Sequence, residues 1–535
     1  MKTMISSIIL ASCLALPLAS CSDSDAAPEQ KDWSTTTYFY SADAAMQDTY
    51  YKPTVGYVGD PMPFFDPVAG DFKVLYLQDF RPNPEGTYHP IWGVSTKDAA
   101  HYTSLGELVS CGTKKSQDAA IGTGSTIYDE ASKLYYTFYT GNKYLPTGDE
   151  SAQAVMVATS ADFKTWTKDR TFLLKGQDFG YDKNDFRDPF VFKGDDGKFH
   201  MLVSTKKGGK GSLAEFVSDD LKNWTDNGVF MTMMWDRFYE CPDLFKMGDY
   251  WYLVYSEIHH AIRRVQYFKG RTLDELKACT ANDAGRWPDA HEGFLDSRGL
   301  YAGKTASDGT NRYLWGWCPT RSGKDNTAVG ASPAEPEWGG NLVCYKLIQH
   351  EDGTLTLGQV DAVSEKYNQD VAVEVKESLN MTEADGTYTL AGNAELPDAY
   401  MLMGRLGNHN KISFTVTTTN KLDKFGISMV RGSDSKKYYT MVVNPENENN
   451  RKVNFEEQGV EGKGFIAGID GYVFARPADN VYNITIYTDN SICVMYINDV
   501  CSYTNRIYGI QKNCWSIDSF NGANVKVSNL KISQY

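Results

Sequence analysis

The chain has little with which to hold a polyanion. Its 53 Lys and Arg are outnumbered by 68 Asp and Glu, the net charge is −15, and no run of Lys or Arg breaks the acidic excess. Repulsion therefore argues against nucleic acid, and a neutral substrate fits better. Histidine is scarce, eight in 535 residues, and no Cys-x-x-Cys pair occurs. A zinc site lacks its usual ligand spacing, and no metal or organic cofactor is called for. The cysteines after Cys21 stand at 111, 241, 279, 318, 344, 493, 501 and 514. In so long a chain they do not read as a disulfide framework, and most are expected to be small buried hydrophobes. The N-terminal apolar stretch from Met4 to Ala19 falls short of the roughly 20 residues of a membrane span.

What is present points elsewhere. Hydrophobic residues at 41% and charged residues at 23% are globular proportions, and 535 residues exceed one ordinary core, so two domains are expected. Aromatics reach 13%, with 34 Tyr and 11 Trp, which suits strands and also sugar-binding surfaces. Lys2, the short apolar core and Leu18-Ala19-Ser20-Cys21 read as a signal peptide over residues 1–20. That ending resembles a bacterial lipobox, which implies lipidation of Cys21 and a solvated tether with an N-terminal segment over 21–49. The expected location is that of an exported lipoprotein, at the outer membrane or cell surface or facing the periplasm. The membrane is reached through the lipid alone.

A repeat decides the expected fold. Ser160-Ala161-Asp162-Phe163-Lys164-Thr165-Trp166 returns as Ser218-Asp219-Asp220-Leu221-Lys222-Asn223-Trp224, with a weaker copy at Ser95–Asp98 before Tyr102. Strand-like runs at 72–78, 134–140, 199–204, 250–256 and 312–317 are each followed by a second run, and each is preceded by a Pro- or Gly-containing segment. Those segments are Asp60-Pro61, 122–125, Asp188-Pro189, 240–242 and 295–299. Short strands in units of this size predict an all-β fold, with a five-bladed β-propeller over 50–365. Beyond residue 370 the pattern changes. Ile412/Phe414/Val416, Ile484/Ile486, Ile492/Val494/Tyr496 and Val525/Val527 alternate as half-buried strands do, and no long helical period appears. A C-terminal β-sandwich over 370–535 follows.

In a propeller the first strand of each blade lines the central channel. Asp60, Asp188 and Glu240 take matching places, each before a proline and a hydrophobic strand, so the repeat brings three carboxylates to one mouth. An Asp-Pro alone is a common turn dipeptide and carries no weight. Three acids in phase with a repeat are different, because crowded like charges destabilise a fold that does not use them. Glycoside hydrolysis needs such a group: one carboxyl protonated for the leaving oxygen, another ionised for the anomeric carbon. Arg187 is placed to keep Asp188 ionised, with a plain salt-bridge role as the alternative.

The motifs then resemble glycoside hydrolase family 32, the β-fructosidases (invertases, inulinases and levanases). Phe186-Arg187-Asp188-Pro189 matches its Arg-Asp-Pro motif, and Glu240-Cys241-Pro242-Asp243 its Glu-Cys-Pro motif. Tyr57-Val58-Gly59-Asp60-Pro61 stands where the family has Trp-Met-Asn-Asp-Pro-Asn-Gly, and Tyr139-Thr140-Gly141-Asn142 is an unmodified match. Ile486–Ser491, Val494–Asp499 and Arg506-Ile507-Tyr508 are similar to a stretch of the family's sandwich. The resemblance implies that Asp60 is the nucleophile, Glu240 the general acid and then base, and Asp188 a stabiliser of the transition state. It implies that Gln78, Trp92, Thr123, Arg187 and Trp317 line the fructose subsite. The expected reaction is retaining hydrolysis that releases fructose from β-fructans: levan, inulin, fructo-oligosaccharides and sucrose. Gly59, Met62-Pro63 and Gly122 depart from the family pattern. Two other readings therefore stay open: an arabinan-type five-bladed glycosidase, and a non-catalytic glycan-binding surface lipoprotein. The N-terminal reading has its own test: Cys21→Ala is expected to abolish incorporation of labelled palmitate and to leave the chain in the soluble fraction after membranes are pelleted.

Overall fold

A computed structural model describes residues 49–535, apart from 81–88, 234–237, 258–263, 283–292, 321–337, 432–437, 446–450, 459–471, 475 and 512. The signal peptide and Cys21, with nearly all of the 21–49 segment, lie outside the described residues. The aromatic runs form antiparallel meanders joined by short turns, which pack as five blades. The first blade holds Tyr57–Asp66, Asp71–Asp79, Ile91–Thr96 and Thr103–Val109; the second holds Ala120–Asp129, Leu134–Asn142, Gln153–Ser160 and Thr167–Lys168. Phe186–Lys193, Phe199–Lys207, Lys210–Ser218 and Thr225–Thr232 make the third, and Glu240–Met247, Tyr250–Glu257 and Arg264–Gly270 the fourth. The fifth holds Tyr301–Ser307, Arg312–Pro319, Gly340–Gln349 and Leu355–Gly358. The five first strands neighbour one another in chain order, the fifth lies against the first, and a pair between Val58 and Gly340 links the two end blades.

The sequence repeat is a turn that ends the third strand of three blades. Asp162 Oδ1 accepts the N–H groups of Lys164 and Thr165, and Asp220 Oδ1 those of Lys222 and Asn223. Asp98 Oδ1 does the same for Ala100 and His101. The residue after each Asp has a left-handed backbone: Ala99 at φ 59°, Phe163 at 58° and Leu221 at 63°. One expectation needs correcting. Residues 295–299 are not the innermost strand of the fifth blade, which begins at Tyr301. They form a connection that docks on the sandwich.

The sandwich has two antiparallel sheets, one centred on Asn524–Gln534 and His409–Thr418, the other on Cys514–Phe520 and Lys424–Arg431. Ile412, Phe414 and Val416 point into the space between them and meet Ile427, Met441 and Trp515. The strand Ile492–Ile497 departs from half-burial: all six residues are buried. Cys493, Met495 and Ile497 face the sandwich core, whereas Ile492, Val494 and Tyr496 join the propeller core with Tyr345 and Leu357. The propeller takes the place of water on the outer face of that strand.

Polar groups fix the same junction. Asp296 accepts the N–H and Oγ1 of Thr504, both at 2.8 Å, and Ser502 Oγ at 3.0 Å. Arg506 reaches the other way, donating to the carbonyls of Pro319 and Cys318, each at 3.0 Å, and to Asn341 Oδ1 at 2.6 Å. Arg506→Met strands these buried acceptors and is expected to cost about 3 kcal/mol in urea unfolding. Both units share the junction, so a single transition should move to lower urea.

Candidate active site

A regular strand turns successive side chains to opposite faces. All five innermost strands break that rule at one level. The register slips between Gly59 and Met62, between Gly122 and Gly124, opposite Leu202 and Ser204 at 187–190, between Glu240 and Asp243, and between Tyr301 and Lys304. Each slip is a β-bulge, which leaves residues unpaired and re-aims their side chains. Pro61, Pro189 and Pro242 fall inside three of them, where a missing N–H costs no ladder bond. Asp188, Cys241 and Ala302 adopt φ of 58°, 52° and 53° there.

The bulges stack functional residues in two rings. One ring is the last paired position before each bulge: Gly59, Gly122, Arg187, Glu240 and Tyr301. The next is the first bulged position: Asp60, Thr123, Asp188, Cys241 and Ala302. Glu240 is thus not in the same place as Asp60 and Asp188, as expected from the repeat; its proline stands one residue further on, so it is one residue earlier and matches Arg187.

Neighbours within each ring bond one another. Arg187 Nη2 donates to Glu240 Oε1 at 3.0 Å, and the Tyr301 hydroxyl bonds Oε2. Thr123 Oγ1 donates to Asp60 Oδ2 at 2.7 Å, and Trp317 Nε1 to Oδ1 at 3.0 Å. Asp188 Oδ2 accepts the Cys241 N–H at 2.9 Å, and the Asp188 N–H donates to Thr140 Oγ1 at 2.8 Å. Asp188 is 4% exposed, while Asp60 and Glu240 are half-buried. Burial pushes the Asp60 carboxyl above its ordinary range, against the pull of Thr123 and Trp317, and the Glu240 charge adds to the rise. Burial pushes Asp188 up to about 7. The Arg187 guanidinium opposes that shift without overcoming it, and Glu240 and Asp60 reinforce it. Arg187 thus favours the ionised Asp188 without cancelling its burial, and its direct bonds go to Glu240, to Asp185 and to Gln153.

Two family models match the chain: "Glycosyl hydrolases family 32 N-terminal domain" over residues 50–359 and "GH32, BT1760-like, C-terminal domain" over 353–532. The chain belongs to glycoside hydrolase family 32. It is 26% identical to a beta-fructofuranosidase, insoluble isoenzyme CWINV2, of Arabidopsis thaliana over 310 residues, 52% of this chain and 50% of that protein. The chain spans about half the length of the curated relatives it matches. Its fold is similar to sucrose-6-phosphate hydrolase from Lactobacillus gasseri, with a TM-score of 0.65 at 18% identity over 91% of this chain and 94% of that one. Exo-inulinase from Aspergillus awamori gives 0.66 at 15% identity, covering 91% and 98%.

Of the five residues expected at the fructose subsite, Thr123, Trp317 and Arg187 hydrogen-bond the acids. Gln78 and Trp92 hydrogen-bond none of the three. Gln78 is fully buried and its Nε2 donates to the Val55 carbonyl. Trp92 lies on the third strand of the first blade, with its ring 5.9 Å from that of Phe80. Three contributors went unread. Tyr301 was missed because the fifth inner strand was set too early. Gln153, whose Oε1 accepts the Phe186 N–H at 3.0 Å and Arg187 Nη1 at 3.3 Å, carries no motif. Trp338 carries no motif either, and its ring stacks on His89.

Asp188 sets a pH dependence. With a folded value of about 7 against about 4 in an unfolded chain, the folded protein holds a proton that the unfolded chain releases first. The contribution of Asp188 to stability is then fully present below pH 4 and is lost as pH rises through 7. Asp188→Asn keeps an acceptor for Cys241 and removes the titration. Its Tm is expected to exceed wild type by ~2 °C at pH 8 and by nothing at pH 4, in paired calorimetric scans.

Proposed function

We propose that the chain is a retaining glycoside hydrolase that releases fructose from β-fructans such as levan, inulin and their oligosaccharides. The observation that carries this reading is the pair of rings, in which Asp60 and Glu240 are held by different partners. Thr123 and Trp317 each bind one oxygen of Asp60, which favours its ionised form and aims it into the channel. The Asp60 carboxylate attacks the anomeric carbon of a fructosyl unit as the bond to the leaving oxygen breaks. Glu240 gives that oxygen its proton, and a fructosyl-enzyme results. Glu240, left a carboxylate by that transfer and positioned by Arg187 and Tyr301, then takes a proton from the water that displaces Asp60. Asp188, neutral below about pH 7, hydrogen-bonds fructose hydroxyls in the transition state.

The lipidated Cys21 belongs to the same proposal. An export signal and lipid anchor would station the enzyme at the outer membrane, on the cell surface or facing the periplasm, where extracellular fructan is met.

Reducing-sugar release from levan, inulin and sucrose tests the chemistry. Glu240→Gln is expected to lower kcat by roughly a thousandfold, and Asp60→Asn to reduce turnover to background. NMR of the first-formed sugar should show the substrate's anomeric configuration. Inverted product, or undiminished turnover in both variants, sinks the mechanism; binding of fructan with no turnover by wild type would favour a glycan-binding protein.

A further inference from the structure

Past the bulges the innermost strands pair again, and the first residues to do so form a third ring, one level deeper in the channel. Its members are Met62, Gly124, Phe190, Asp243 and Lys304. Methionine and phenylalanine hold two of these places, so nothing at this level calls for charge. Lys304 is nevertheless among them, 2% exposed. Its strand borders those of the first and fourth blades, but its side chain reaches the other two. Lys304 Nζ donates to the Gly124 carbonyl of the second blade at 2.7 Å and lies 5.4 Å from the Phe190 ring centroid in the third. The lysine thus spans the channel beneath the acids.

A buried ammonium ordinarily lies against a carboxylate, and among the described residues none pairs with this one. Asp243, in the same ring, spends Oδ2 on the N–H and Oγ1 of Thr305, at 2.7 and 2.6 Å, and Arg312 Nη1 donates to that hydroxyl at 2.8 Å. Burial lowers the Lys304 pKa, opposed by Cys241 and Asp243 of the fourth blade, Asp188 of the third and Asp60 of the first. The one acceptor that Lys304 does have leads to the nucleophile. Gly124 follows Thr123, whose Oγ1 donates to Asp60 Oδ2 at 2.7 Å. The Gly124 N–H donates to Met62 Sδ at 3.1 Å, and a Cβ at 124 would lie 1.8 Å from the Phe138 carbonyl oxygen. Lys304 and Met62 together fix the backbone that carries Thr123.

We propose that Lys304 is a positioning residue for Asp60: from beneath the pocket it fixes the backbone that carries the Thr123 hydroxyl, and its charge offsets the crowding of the carboxylates above it. The inference rests on the fructosidase reading, in which Asp60 attacks as a carboxylate, and adds a residue that bonds none of the acids. Glu240, held by Arg187, makes ionisation of Asp60 harder, and a cation in the same water-poor channel makes it easier. Aim and charge both matter most once the anomeric carbon is under attack, so the lysine governs kcat more than KM.

Lys304→Met tests this, since it keeps the apolar stem and removes both the charge and the donor. Carboxyl-carbon NMR follows the titration of Asp60, assigned by its loss in Asp60→Asn, and the midpoint is expected to rise by about half a pH unit in the variant. On levan- and inulin-type fructo-oligosaccharides kcat should fall about tenfold with KM within about twofold, and the acidic limb of kcat/KM should move up with Asp60. Where Lys304→Met does not fold, Lys304→Gln, smaller and neutral, takes its place in the same titration. A lysine of structural use alone would lower Tm and leave the Asp60 midpoint where it is, and that result overturns the proposal. The titration needs no turnover, so it separates the two readings. Wild type inert on fructan with a shifted midpoint in the variant sinks the chemistry and supports the positioning role; an unmoved midpoint in an active enzyme sinks the positioning role alone.

Discussion

A strand that keeps its ladder intact can offer the channel only every second residue, and a site built from paired strands needs more. The bulge at a common level in all five innermost strands resolves that conflict. It sets two consecutive residues of each blade near the mouth, one still paired and one released. Everything at the site depends on that slip. Without it, Arg187 and Asp188, or Glu240 and the Cys241 N–H, would face opposite sides of their sheets. The prolines at 61, 189 and 242 belong to the same device, since they occupy the positions where a donor would have nothing to pair with.

The two rings divide electrostatic labour. The ring with Glu240 is mixed in charge: a guanidinium on one side and a phenol on the other give each carboxylate oxygen its own donor. In the ring with Asp60 and Asp188 the hydrogen-bond donors are neutral, and burial outweighs them and the nearby Arg187 charge, so both carboxyls sit above their ordinary range. Cys241 takes part through its backbone N–H, and its buried thiol is pushed well above the usual thiol range.

The sandwich contributes at a distance. It buries the outer face of Ile492–Ile497 against the propeller and sends Arg506 to the carbonyls of Cys318 and Pro319, the residues that follow Trp317. Trp317 in turn donates to Asp60. The position of the nucleophile's partner is therefore tied to a junction whose residues, Asp296, Thr504 and Arg506, lie far from the acids in the chain.

Much of this was legible in the sequence. Period-2 runs, the Ser-x-Asp turn and the Pro-marked acids specified five blades and three carboxylates, because those signals arise from local backbone chemistry. The acidic net charge likewise favoured a neutral substrate over a polyanion. The bulges coincide at Pro61, Pro189 and Pro242, so Glu240, two residues before its proline, is level with Arg187 rather than with Asp188. Tertiary structure alone decided that this arginine bonds Glu240 and that Tyr301 joins them from the fifth blade. It also decided that Trp338 fills the space above Gly59. These are contacts between segments up to hundreds of residues apart, fixed by packing that no local pattern encodes.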